Sequence, residues 1–168
     1  MRLWLNNQRN DNDMSIVEKE IKRIIEGMGL DYIIETMPRA NQVLDRYRRR
    51  PDKRVRADDG HSLPVGIYIQ PERGTLNIAE RGNVTDAPSC LIAFADEMPF
   101  DFRGEQAQEV AERMKDLAEE FIRIVNESDE LKPIVGNIGY SISYDSMDAN
   151  LCVVTITAVI EEAWGRCI

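Results

Sequence analysis

Apolar positions recur at helical spacing in two places. Ile16, Val17, Ile21, Ile24, Ile25 and Met28 form one stripe. Ser15 stands before it as an N-cap, with Glu18 three residues on in a capping-box pattern, and Gly27 and Gly29 close it. The second and longer stripe comprises Ala107, Val110, Ala111, Met114, Leu117, Ala118, Phe121, Ile122 and Val125, and predicts an amphipathic helix over Glu105–Asn126. Its length, about three heptads, suits packing on a sheet better than a coiled coil. Asp101 or Gly104 is the expected cap of this helix. Arg39–Arg49 is a weaker helical segment, with Val43, Leu44 and Tyr47 on one face.

Elsewhere the period is two, or the run is apolar throughout. Tyr32–Ile34 is a short β-prone run stopped by Pro38, and Val65, Ile67 and Ile69 alternate with Gly66, Tyr68 and Gln70. Pro71-Glu72-Arg73-Gly74 reads as a turn, which makes Thr75–Ala79 the expected hairpin partner of Val65–Gln70. Ser89–Ala95 is nearly all apolar, as in a central strand covered on both faces. Asn137–Tyr144 and Leu151–Ile160 alternate on either side of a polar turn, Asp145–Asn150, and predict an antiparallel hairpin. The expected fold is α+β: an antiparallel or mixed sheet of about five strands, two main helices on one face, and a long basic loop. Residues 1–13 are expected to be a flexible tail with one apolar patch (Leu3, Trp4, Leu5), and residues 14–168 a single domain.

Charge changes this picture. The net charge is −9, yet residues 46–56 hold seven bases against one acid. That segment is +6 and the remainder carries −15. An exposed basic arm over residues 46–62 on an acidic body is therefore expected, able to meet an acidic surface or a phosphate backbone. The bases assigned to protein contact are Arg48, Arg49, Arg50, Lys53, Arg54 and Arg56, and the acids of the long helix assigned to the same role are Glu109, Glu112 and Asp116. A nucleic-acid arm, with Tyr47 stacking, is an alternative use of the same segment.

Catalytic chemistry finds little foothold. The one histidine, His61, lies in the charged loop, and its neighbour Ser62 points away from it in an extended or turning chain. Asp145, Asp148 and Asn150 lack the spacing, the sixth-position glycine and the twelfth-position glutamate of a calcium loop. Asp96, Glu97 and Asp101 precede a helix, whose dipole attracts acids there. Gly136-x-x-Gly139 precedes a strand, so it is no phosphate loop. The three cysteines, Cys90, Cys152 and Cys167, form no CxxC pair, and the first two sit in apolar runs as small hydrophobes. No apolar run approaches the roughly 20 residues that cross a bilayer. The expectation is a non-enzymatic protein without cofactor, metal or membrane contact.

The order of elements, with "PVGIYIQPERGTLNI" (Pro64–Ile78), "SCLIAFADEMPFDFRGEQAQEVAERMKDLAEEFI" (Ser89–Ile122) and "GNIGYSISYDSMDANLCVVTITAVIEEAWGRC" (Gly136–Cys167), resembles the tail-terminator or tail-completion proteins of long-tailed bacteriophages and prophages. The resemblance spans roughly residues 15–167 and rests on strand, helix and turn patterns. It implies a small α+β subunit that forms a ring, commonly of six copies. Such a ring caps the tail tube, joins it to the head or neck, and lets DNA pass its lumen without reading it. It implies partners among copies of itself and among tail-tube and neck or connector proteins. It also implies a place in the host cytoplasm during assembly and in the tail or neck of the virion afterwards. It brings no catalytic residues. A head–tail connector or neck subunit is the alternative within the same class.

Overall fold

The computed structural model describes residues 14–48, 63–79, 82–98, 104–144, 151–164 and 166–167. The expected flexible tail (1–13), the bulk of the basic arm with His61 and Ser62, Asp101 and the Asp145–Asn150 turn lie outside them.

The stripe read at the N-terminus forms α1 (Ile16–Gly27). Ser15 Oγ accepts from the Glu18 amide at 3.1 Å, which satisfies one of the donors left open at the helix start. At the other end Gly29 takes a positive φ of 77°, the Leu30 amide reaches Ile25 O, and the Gly29 amide reaches Glu26 O. This is a Schellman closure, and it turns the chain directly into strand β1 (Asp31–Glu35). Helix α2 (Met37–Arg48) follows at once. Pro38 thus serves to open a helix as much as to end a strand, because the first turn needs no amide from it.

The remaining elements are β2 (Val65–Ile69), β3 (Gly74–Ile78), β4 (Asn83–Glu97), α3 (Gly104–Glu127), β5 (Gly139–Tyr144), β6 (Leu151–Val159) and the short β7 (Arg166–Cys167). The main path of the sheet is β1-β2-β4-β6-β5. β1 and β2 are parallel, while β2–β4, β4–β6 and β5–β6 are antiparallel, so the sheet is mixed. The fold is α+β, with α1 and α3 packed together on one face.

Alternation assigns each residue a side. Cys90, Ile92 and Phe94 of β4 and Val154, Ile156 and Ala158 of β6 meet Val17, Ile21, Ile24 and Ile25 of α1 and Met114, Phe121 and Val125 of α3. Phe94 and Phe121 are both fully buried, with ring centroids 6.0 Å apart in a tilted pair. Gly66 lets α1 close on β2: a Cβ there would lie 2.6 Å from Ile25 Cγ2. The opposite residues, Val65, Ile67, Ile69, Ala93, Ala95, Leu151 and Val153, pack with Ile33 and with Ala40 and Val43 of α2. The weakest of the three expected helices therefore covers the sheet's second face. Among its described side chains, Ala40 and Val43 make that contact.

One expectation is corrected. Thr75–Ala79 was expected to pair with Val65–Gln70, but β3 pairs with β4 (Gly74 opposite Pro88, Ile78 opposite Val84). β2 and β3 run in succession along the same edge of β4, and residues 70–73 form a bulge where two residues of β4 (Ser89, Cys90) have four opposite them. The Ser89 amide still reaches Arg73 O at 2.9 Å. Gly74 is needed at this joint, because a Cβ would come within 3.1 Å of the Pro88 backbone. β4 is correspondingly longer than the expected Ser89–Ala95. Its first half extends past the helices, flanked by β3 on one side and by β7 on the other.

Candidate functional site

Helix α3 carries the acids singled out from sequence. Its buried residues, Ala107, Val110, Ala111, Met114, Ala118, Phe121 and Val125, fix its rotation on the sheet. That rotation leaves Glu105, Glu109, Glu112 and Asp116 exposed in one line at spacings of four, three and four. Glu97 and Met98, at the end of β4, lie beside them. Together they border an open depression of about 1050 Å³ whose lining holds five acids against one base, Arg113. Arg113 is itself engaged, donating to Asp96 at 3.2 Å. Asp96 also accepts from the Glu97 amide at 2.8 Å, so this carboxylate works as a local brace.

Acids outnumber bases in both halves of α3: Glu105, Glu109 and Glu112 against Arg113 and Lys115 in the first, and Asp116, Glu119, Glu120 and Glu127 against Arg123 in the second. Near the C-terminus, Arg123 pairs with Glu127 at 2.8 Å and Glu120 at 3.6 Å. Toward the N-terminus, Lys115 lies 3.7 Å from Glu112 and 5.5 Å from the centre of the Tyr140 ring. Glu105, in the first turn, suits the helix dipole without any partner.

The structure brings Glu109, Glu112 and Asp116 into one surface. Glu97 was singled out only as a helix-start acid, because its approach to this line depends on where β4 ends. Of the basic set, Arg48 marks the end of α2, while Arg49, Arg50, Lys53, Arg54 and Arg56 lie outside the described residues. The two anchors of that segment are nevertheless placed. It leaves from α2, on the second face of the sheet, and returns at Leu63, which packs with the α2-side cluster. The basic segment is thus rooted on the opposite side of the sheet from the acidic line of α3.

Reactive groups do not converge among the described residues. Cys90 and Cys152 are fully buried. Burial pushes the Cys90 thiol up to about 11, and burial followed by the nearby Asp96 raises Cys152. Both are protonated at neutral pH, the reverse of what a nucleophile needs. Tyr68 Oη lies 3.9 Å from Cys90 Sγ, and burial raises both Tyr68 and Tyr32 above the ordinary phenol value. Among the described residues no three His, Cys, Asp or Glu are grouped to hold a metal ion, and no helix is long and apolar enough to cross a membrane.

A second polar cluster is structural. The Glu161 carboxylate binds Lys132 and accepts from Thr85 Oγ1, tying the end of β6 to β4 and to the chain after α3. Lys132 first, then Thr85, hold this carboxyl down to about 2. No protein-family model matches this chain, and no curated protein matches it in sequence.

Proposed function

We propose that this chain is a structural subunit that assembles head to tail into a ring, in the manner of the phage tail-terminator proteins its element order resembles. The observation that supports the reading is that α2, from which the basic segment leaves, and Leu63, to which it returns, lie on the opposite side of the sheet from the acidic line of α3. In this reading the basic segment, rooted beside α2, meets the acidic line of α3 on a neighbouring copy. Such an interface joins two different patches of one subunit, and repeated rotation closes it into a ring. In this reading the subunit acts by geometry: the ring ends a tail tube and joins it to the head or neck, and the acidic body lets DNA pass without adhering.

The test is charge reversal on each side. Replacing Arg48, Arg49, Arg50, Lys53, Arg54 and Arg56 with glutamate should leave far-UV circular dichroism unchanged and abolish ring formation in native mass spectrometry, with or without tail tubes. Glu109→Lys, Glu112→Lys and Asp116→Lys should do the same. Combining the two sets should restore part of the assembly. Rings that form normally in either single set would remove the charged contact from the mechanism. A salt-dependent DNA mobility shift lost with the basic set, and no assembly in any condition, would favour the nucleic-acid reading instead.

A further inference from the structure

The main sheet ends at β1 on one side and at β5 on the other, and among the described residues no further strand lies outside either. An edge strand presents a row of backbone donors and acceptors, and the group that satisfies such a row is another strand. Edges that stay single are guarded by charge, proline or a bulge. β5 holds no charge and no proline over its six residues, and its Tyr140 and Tyr144 are 56% and 47% exposed. β1 has acids only at its two ends, Asp31 and Glu35.

The two edges match each other. Ile33, Ile67, Ala93, Thr155 and Ser141 are partners in succession, so one line crosses the sheet from the middle of β1 to the middle of β5. The edges are therefore level, and five residues face six. β1 runs parallel to β2, and each step from β2 through β4 and β6 to β5 reverses direction, so β1 and β5 are opposed. A second copy set beside β5 in the same orientation brings its β1 alongside, antiparallel and with no step along the strands. A head-to-tail contact without such a step can close by rotation into a ring, whereas a step builds a helical filament.

Side chains agree with this register. With Ser141 opposite Ile33 of the next copy, Tyr140 falls opposite Ile34 and Ile142 opposite Tyr32, on the face of α1 and α3. Tyr32 and Ile34 are only half-buried in the single subunit, at the margin of its core. Both pairs join an aromatic to a β-branched side chain, a favourable combination across strands. On the other face Ser143 meets Asp31 and Gly139 meets Glu35, so no like charges are opposed.

We infer that β5 of one copy pairs antiparallel with β1 of the next, Ser141 opposite Ile33, so that the sheet runs unbroken from subunit to subunit. The inference deepens the ring proposed above and rests on it for closure, but the strand contact is separate from the charged one. Pairing of β5 with itself about a two-fold axis is the competing arrangement. It leaves every β1 edge open and does not propagate.

The experiment cross-links the full chain with a short bismaleimide, with and without tail tubes. Cys167→Ser removes one thiol, and Cys90 and Cys152 are buried. Into this chain go Gly139→Cys, where a Cβ meets nothing within 4 Å, and Glu35→Cys. The doubly substituted chain should give a ladder of covalent oligomers on denaturing gels, ending at the closed ring. Each single variant should stay monomeric, and the two mixed should stop at a dimer. Gly139→Cys with Asp31→Cys, about 14 Å out of register, should give little product. An equal ladder from the out-of-register pair would overturn the pairing. So would a dimer from Ser141→Cys alone, by placing β5 against β5. Rings that form in native mass spectrometry yet never cross-link at residues 139 and 35 would overturn the pairing and keep the ring. A ladder that survives charge reversal of the basic segment would keep the pairing and remove the charged contact. A chain that stays monomeric and uncross-linked in every condition would overturn both.

Discussion

β4 passes through two environments within one strand. Residues 89–97 pair with β6 along their whole length and with β2 in the middle, and they carry helices on both faces. Residues 83–88 have the same backbone ladder, paired with β3, but every residue of β3 is exposed, including Leu76 at 66% and Ile78 at 74%. Hydrogen bonding is thus comparable in the two halves, and apolar burial is not. Since a backbone hydrogen bond contributes only about 1 kcal/mol net and a fully buried large side chain roughly 1.5–3 kcal/mol, the inner half should hold most of the stability. The outer half depends on its polar tie, Glu161 with Thr85 and Lys132.

The contrast can be broken most forcefully at Phe94. Phe94→Ala empties the centre of the core and should cost about 3–5 kcal/mol in urea unfolding. A loss under about 1 kcal/mol would mean that the inner half is not the stable one. Next comes Gly66→Ala, which places a methyl 2.6 Å from Ile25 Cγ2. Ile25 is fully buried and cannot swing away, so overpacking should cost about 1–3 kcal/mol. An unchanged urea midpoint would show that α1 does not press on β2.

Glu161 sharpens the account of the outer half through pH. Its folded carboxyl sits at about 2, below the ordinary 4.5. A depressed acid stabilises the fold fully above its ordinary value, and this contribution drains away as pH falls from about 4.5 through about 2. Glu161→Gln should therefore lower stability at neutral pH and flatten the acid limb of the stability profile. Identical acid limbs for the two proteins would show that the tie contributes nothing. The smallest change is expected of Leu76→Ser with Ile78→Ser, within about 0.5 kcal/mol at each site, because these side chains bury little in the subunit. A larger loss would reveal packing on the outer ribbon that its exposure does not suggest.

The long helix and the closing hairpin were legible because a period marks each: nine apolar positions at helical spacing in α3, and alternation about Thr155 and Thr157 in the second half of β6. β3 shows where sequence reading stops. Pro71–Gly74 has the chemistry of a hairpin turn, but turn chemistry is local, and whether the chain reverses or bulges is decided by which strand lies alongside. The Asn83–Pro88 extension of β4 was missed for a related reason. Asn83, Thr85, Asp86 and Pro88 break the apolar run by which the rest of the strand is read, although Ala87 and Pro88 are buried. At the candidate site, Glu109, Glu112 and Asp116 follow from helical spacing alone, whereas the approach of Glu97 comes from tertiary packing.

The two buried thiols give the molecule a pair of internal clocks. Cys90 belongs to the core shared by α1 and α3, and Cys152 packs with Ala107, Val110 and Ala111 in the first turns of α3, with neither reachable from solvent in the closed fold. A thiol-reactive reagent can modify either one only after the layer above it lifts. The two labelling rates would therefore time how often each end of the helical layer opens, and would tell whether those ends open together or apart.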